Sequence, residues 1–329
     1  MTKQQSIPDP LKKGLLFLYV ETPLHVGCGE GLGAIDLPLQ RERMSDLPVV
    51  PGSGLKGALR EAFRNSDTEI DLFGPRPPDP KQSAASREPP DHAGALSVTD
   101  AKLLLLPIRT VYGGWAWATS PMILERLARE HVVAGRGDPT WAAQLMAAAR
   151  TLVDKIDNDA QALVFKNNPT IAPNHKLILE DTLYTAKAAP EAPANALCEL
   201  LRSALPPCRT YQPIRDRIAD QLVLLSDTEL KFWAKHGTEI TTRVRINENT
   251  GTVADGALWT EESLPAESLL WSVALISDSR KPNNNSNGAT LMQHFANTLE
   301  AKSRIFLGGD RTIGRGLCGV NLIQGGLRS

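Results

Sequence analysis

Four glycines in seven residues, Gly27, Gly29, Gly31 and Gly33, lead to Asp36 and then to Leu37-Pro38-Leu39-Gln40-Arg41-Glu42. Such a run holds neither a helix nor a stable strand interior, so it predicts a specially shaped loop presenting a carboxylate. A carboxylate there can hold a divalent cation, accept a proton, or bond its own backbone in a turn, and the residues alone favour the turn. His25, two residues after Pro23, is a candidate proton shuttle, with a structural histidine as the plainer reading. Glu30 reads as a solvated loop residue, with a place beside Asp36 at a metal as the alternative, and Cys28 lies in the same loop.

Two further segments have the chemistry to meet phosphate. Lys56 and Arg60 fall one turn apart on a helix predicted over 55–64, and Ser53 stands ahead of it as a candidate N-cap. On residues alone, phosphate binding and a plain solvated face are equally open there. The stretch FLGGDRTIGRGLCGV (306–320) gathers five glycines, two arginines and an aspartate, so guanidinium and backbone amides can approach a phosphate closely. Arg311 and Arg315 flank those glycines, and Arg243-Val244-Arg245 adds another basic cluster. No Walker motif follows, and GRGLCG leads into a strand instead of opening a helix, which argues against a dinucleotide site. The basic clusters are local, because 36 Lys and Arg stand against 37 Asp and Glu, a net charge of −1, whereas domains that bind nucleic acid freely are basic.

The elements that must position these groups read as α+β with insertions. Strands are expected over 14–26, 162–165, 176–183, 241–246, 268–276 and 319–324, and 95–98 and 103–111 read as a strand pair. Helices are expected over 120–132, 140–156, 194–204 and 214–233. The Pro/Ser-rich segment 75–92 predicts a flexible loop, 281–290 a mobile one, and Trp115, Trp117 and Trp271 read as core. At 42% hydrophobic residues the 329-residue chain can build a large core. It has no apolar run long enough for a bilayer and no secretory signal, so a cytoplasmic protein without membrane contact is expected, with Cys28, Cys198, Cys208 and Cys318 as free thiols.

In order and spacing, LHVGCGEGLGAIDLPLQRE, LPVVPGSGLKGALREAF, DHAGALSVTDAKLLLLPIR and GGDRTIGRGL resemble the backbone subunits of type III-B CRISPR RNA-targeting (Cmr) complexes, members of the RAMP superfamily. The resemblance spans the chain and includes RVRINENTGTVADGALWTEESLP (243–265), similar to the family's β-hairpin thumb. It implies a single domain over 1–329: a modified RNA-recognition-motif (ferredoxin-like) palm with inserted helical regions and a thumb at about 241–262. It further implies a filament of copies on a guide RNA, alongside other subunits of the complex, that cuts complementary target RNA at regular intervals by 2′-hydroxyl attack. The family's cleaving aspartate falls on Asp36, with a transient divalent ion (Mg or Mn) as cofactor and His25 second. RNA contacts are expected from Ser53, Lys56, Arg60, Arg243, Arg245, Arg311 and Arg315. The alternatives are an architectural RNA-binding subunit with an inactive loop, and a small-molecule enzyme built on the C-terminal glycine loop.

Overall fold

The computed structural model describes residues 11–31, 33–76, 91–134, 147, 149–151, 158–165, 168, 170–172 and 175–325. In chain order the elements are β1 (Lys12–Val20), β2 (Val49–Val50), α1 (Gly52–Ala62), α2 (Glu69–Phe73), β3 (Leu96–Val98), β4 (Ala101–Arg109), β5 (Trp115–Thr119) and α3 (Pro121–Val133). There follow β6 (Gln161–Val164), β7 (Ile171–Ala172), β8 (Lys176–Leu179), β9 (Thr182–Ala188), α4 (Glu191–Ala204), α5 (Gln212–Gln221), β10 (Leu222–Leu224) and α6 (Asp227–His236). The chain ends with β11 (Glu239–Ile246), β12 (Val253–Ser263), β13 (Leu269–Ile276), α7 (Gly288–Lys302), β14 (Arg304–Phe306) and β15 (Leu317–Gln324).

One large sheet runs in the order β14-β15-β1-β13-β4-β5-β10-β6-β9-β8-β7, with β2 on β4 and β3 on β13, while β11 and β12 form a separate hairpin. The sheet is mainly antiparallel; among the described strands, β5 with β10 and β6 with β9 are parallel. β1 lies third from one end of this order, between β13 and β15, with Phe17 opposite both Trp271 and Asn321. Leu15 to Val20 are all at most 2% exposed, which is why this strand reads as a continuous apolar run and not an alternating one. The ring of Phe63, which follows α1, stacks on that of Phe295 in α7, with ring centres 5.3 Å apart. Trp117 and Trp271 are buried as expected, and Trp271 Nε1 donates to Glu130 on α3 at 2.8 Å.

Several sequence expectations are corrected. α1 begins at Gly52, so Ser53 sits inside its first turn; Pro51 takes the cap position and the Asp100 carboxylate accepts from Gly52 N at 2.7 Å. β3 and β4 pair with β13 and not with each other. The helix expected over 214–233 is interrupted because Leu222 to Leu224, fully buried, form a strand beside β5. Ser226 then caps a new helix by accepting from Glu229 N at 3.2 Å. Glu180 takes a left-handed turn that splits 176–183 into the antiparallel pair β8 and β9. Around the 281–290 segment the buried Asp71 carboxylate accepts from Ser279 and, at 2.6 Å, from Asn284, while Asn287 caps α7. Residues 77–90 of the loop expected over 75–92, and most of the helix expected over 140–156, lie outside the described residues. The four cysteines are free, and among the described residues no helix is long and apolar enough to cross a membrane.

Candidate active site and nucleic-acid interface

Asp36 is exposed, yet its backbone is tied to the hairpin. Leu37 N donates to Thr260 O and Glu262 N to Leu37 O, each at 3.0 Å, so this segment runs parallel to β12 along its free edge. The Asp36 carboxylate is held by the same strand: Oδ2 accepts from Thr260 N at 2.7 Å and from the Thr260 hydroxyl at 2.9 Å. These bonds hold the Asp36 carboxyl below the usual aspartate range, the backbone bond contributing most. Two residues on, the buried Glu262 carboxylate accepts from Leu39 N and the Thr238 hydroxyl, both at 2.8 Å, and pairs with Arg41. Arg41 in turn donates to the carbonyls of Asp46 and Ala234, each at 2.9 Å. Glu262 is thus the bolt of the loop.

His25 borders this site without being free in it. Its Nδ1 donates to Glu262 O at 2.6 Å, and its carbonyl accepts from Gly309 N at 2.9 Å. The C-terminal glycine loop therefore lies against the strand end that carries His25, and Gly316 N donates to Pro23 O at 2.9 Å.

The expected RNA-binding cations divide by their internal partners. Arg243 reaches the buried Glu261 at 3.1 Å and Asp310 at 2.9 Å. Arg315 donates to the Ser263 and Thr241 hydroxyls at 2.8 and 3.1 Å, so both arginines tie the hairpin root to the glycine loop. Arg245 and Arg311 are exposed, with the Arg311 guanidinium 4.7 Å from the Phe306 ring centre. On α1, Lys56 Nζ donates to Leu96 O and Arg60 Nη2 to Gly74 O, each at 2.7 Å, while Ser53 is exposed at the first turn. Burial lowers the Lys56 pKa from the ordinary lysine value, and the neighbouring charges of Arg60 and Arg280 lower it further. Arg280 is exposed and extends this basic surface.

Sequence reasoning missed Glu261, Glu262, Thr260 and Arg280. An acidic pair reads as a solvated surface, and nothing local marks it as buried. Among the described residues no group of three His, Cys, Asp or Glu side chains converges to hold a metal. A divalent ion at Asp36 would have to take its remaining ligands from a bound substrate or from water.

A model of the RAMP superfamily matches residues 17–319, and the chain belongs to that superfamily. Over 95% of its length it is 30% identical to the CRISPR system Cmr endoribonuclease Cmr4 of Pyrococcus furiosus, covering 96% of that protein. It is 24% identical to the CRISPR system CMR subunit Cmr4 of Saccharolobus solfataricus, over 92% of this chain and 93% of that one. The fold is shared with oligomeric Cmr4 from Pyrococcus furiosus, with a TM-score of 0.66 at 23% identity, covering 95% of this chain and 98% of that one. It is shared equally with a chain of the type III-B Cmr-beta complex bound to cognate target RNA, with a TM-score of 0.67 at 19% identity, covering 95% and 96%. The family resemblance read from the four motifs is therefore borne out.

Proposed function

We propose that this chain is a guide-RNA-binding backbone subunit of a CRISPR effector complex and that it cleaves complementary target RNA at Asp36. The observation that carries this reading is Asp36 itself: an exposed, ionised carboxylate fixed at the root of a projecting hairpin, in a chain similar over its length to an endoribonuclease. The finer reading of the fold accompanies it. Strands β1, β4, β13 and β15, ordered β15-β1-β13-β4 with α1 and α7 between them in the chain, fit the ferredoxin-like connectivity of a palm. The hairpin fits a thumb, and Val244, Ile246, Val253 and Leu258, each at least 46% exposed, give it an apolar surface suited to stacking against bases.

The reacting nucleophile is the ribose 2′-hydroxyl of the target, which loses its proton and attacks the adjacent phosphate once the backbone is kinked into line; the P–O bond to the next nucleotide breaks, its 5′-oxygen takes up a proton, and the products are a 2′,3′-cyclic phosphate and a 5′-hydroxyl. With its pKa lowered, Asp36 is a weak proton acceptor near neutral pH, so its fixed charge and orientation contribute more than its basicity. Asp36 would hold a transient Mg or Mn ion, which would supply charge neutralisation for the reaction. His25 supports the strand end beside it, and Arg245, Arg311, Lys56, Arg60 and Arg280 offer donors to the guide backbone. Copies of the chain along the guide, joined to other subunits of the complex, would make these local patches continuous despite the near-neutral charge.

The test is reconstitution with guide RNA and a complementary target. Asp36→Asn is expected to keep fold and guide binding and to abolish cleavage, and a 2′-deoxy residue at the cut site should do the same. Full cleavage by the Asn variant would leave an architectural subunit in place of a nuclease.

A further inference from the structure

The Asp36 side chain is exposed, and an exposed aspartate free to rotate would spend little time in any one orientation. Here two groups of one residue prevent that rotation. Thr260 N and Thr260 Oγ1 both bond Oδ2, and Thr260 Oγ1 also accepts from Asp36 N at 3.0 Å, closing a reciprocal clamp between the loop and β12. Besides Thr260, the amide of Asp36 itself acts on the carboxylate, and among the described residues no other side chain bonds it. The clamp sits on the same strand edge that Leu37 and Leu39 join, with Glu262 two residues further along holding the other end of the segment. The Asp36 segment is therefore joined to the hairpin edge through a parallel bridge between Leu37 and Glu261.

We propose that Thr260 is a positioning residue for Asp36, fixing one carboxylate oxygen so that the other is presented to the RNA. The inference rests on the cleavage assigned to Asp36 above, and it places the aim of that carboxylate in the hairpin and not in the glycine loop. The hydroxyl is separable from the rest of the clamp, because valine keeps the shape and the backbone N–H and removes only the Oγ1 bonds.

The experiment is single-turnover cleavage by the complex reconstituted with full-length chain, guide RNA and target, run in parallel for wild type, Thr260→Val, Thr260→Ser and Asp36→Asn. Thr260→Val is expected to cleave about tenfold or more slowly at saturating target, with target affinity and the spacing of cuts unchanged. Thr260→Ser, which restores the hydroxyl, should return to within about twofold of wild type. Hydrogen exchange at the Leu37 amide, bonded to the Thr260 carbonyl, should stay slow in both variants, so that the lost rate reports the carboxylate and not a detached loop. A wild-type rate for Thr260→Val beside an inactive Asp36→Asn would overturn the positioning role while leaving the site intact. Normal cleavage by Asp36→Asn would overturn both. A Thr260→Ser variant as slow as the valine variant would show that a hydroxyl at this position does not sustain the rate, and would overturn the clamp.

Discussion

In the loop from Leu307 to Gly316, a methyl group on Gly316 would lie 1.9 Å from the Leu307 carbonyl oxygen, and one on Gly308 would lie 2.2 Å from that of His25. In the loop from Gly27 to Asp36, neither Gly29 nor Gly33 has any atom within 4 Å of where such a methyl would stand. Both loops are glycine-rich and meet beside His25, yet glycine serves different ends in them. In the C-terminal loop it permits backbone to pack on backbone, with Gly308 and Gly316 also in the left-handed region. In the first loop the space at Gly29 and Gly33 is open, with Gly29 also at positive φ, while Gly27 is crowded by His25 and Gly31 by Ile35 and Pro38. Composition alone does not separate a packing glycine from one in open space.

That contrast is open to direct attack. Gly316→Ala should have the largest effect, about 3 kcal/mol or more lost, since the strain of a positive φ adds to a clash with rigid backbone; urea unfolding would read it. Glu262→Ala should come next at about 3 kcal/mol, because it strands the Arg41 charge and the Leu39 amide, and exchange across residues 37–41 should accelerate with it. Gly33→Ala should be smallest, within about 0.5 kcal/mol of wild type by the same denaturation, as an exposed position with open space around it. Equal losses at Gly33 and Gly316 would erase the distinction between the loops.

What was legible in the sequence follows the range of the interactions. The β1 run, the amphipathic α1 and the Asn-Glu-Asn-Thr-Gly turn between β11 and β12 are local signals; α1 and β11 lie within a few residues of their expected bounds, while the strand expected over 14–26 ends at Val20. The break at 222–226 had a local signal too, Ser226 with Glu229 three residues later, but helical periodicity outweighed it. Asp36 was found through the order of four motifs, whereas Thr260 and Glu262 lie more than 220 residues away along the chain and acquire meaning only when β12 is laid beside the loop. The same distance explains the arginines: Arg243 and Arg315 read as free basic residues until Glu261, Asp310, Ser263 and Thr241 close around them.

The pairing of the Asp36 segment with β12 also constrains how the chain can drift. Side chains on an extended strand repeat their facing every two residues, and Thr260 and Glu262 meet the segment on that repeat. One residue inserted between Thr260 and Leu264 would turn the one or the other away, and two would restore the facing but slide it by roughly 6.6 Å. Residues added between Ile246 and Val253 do neither, because the hairpin turn there only lengthens its projection. The reach of the hairpin and the aim of its root can therefore change separately in descendants of this sequence, with length variation gathering at the tip and parity preserved at the base.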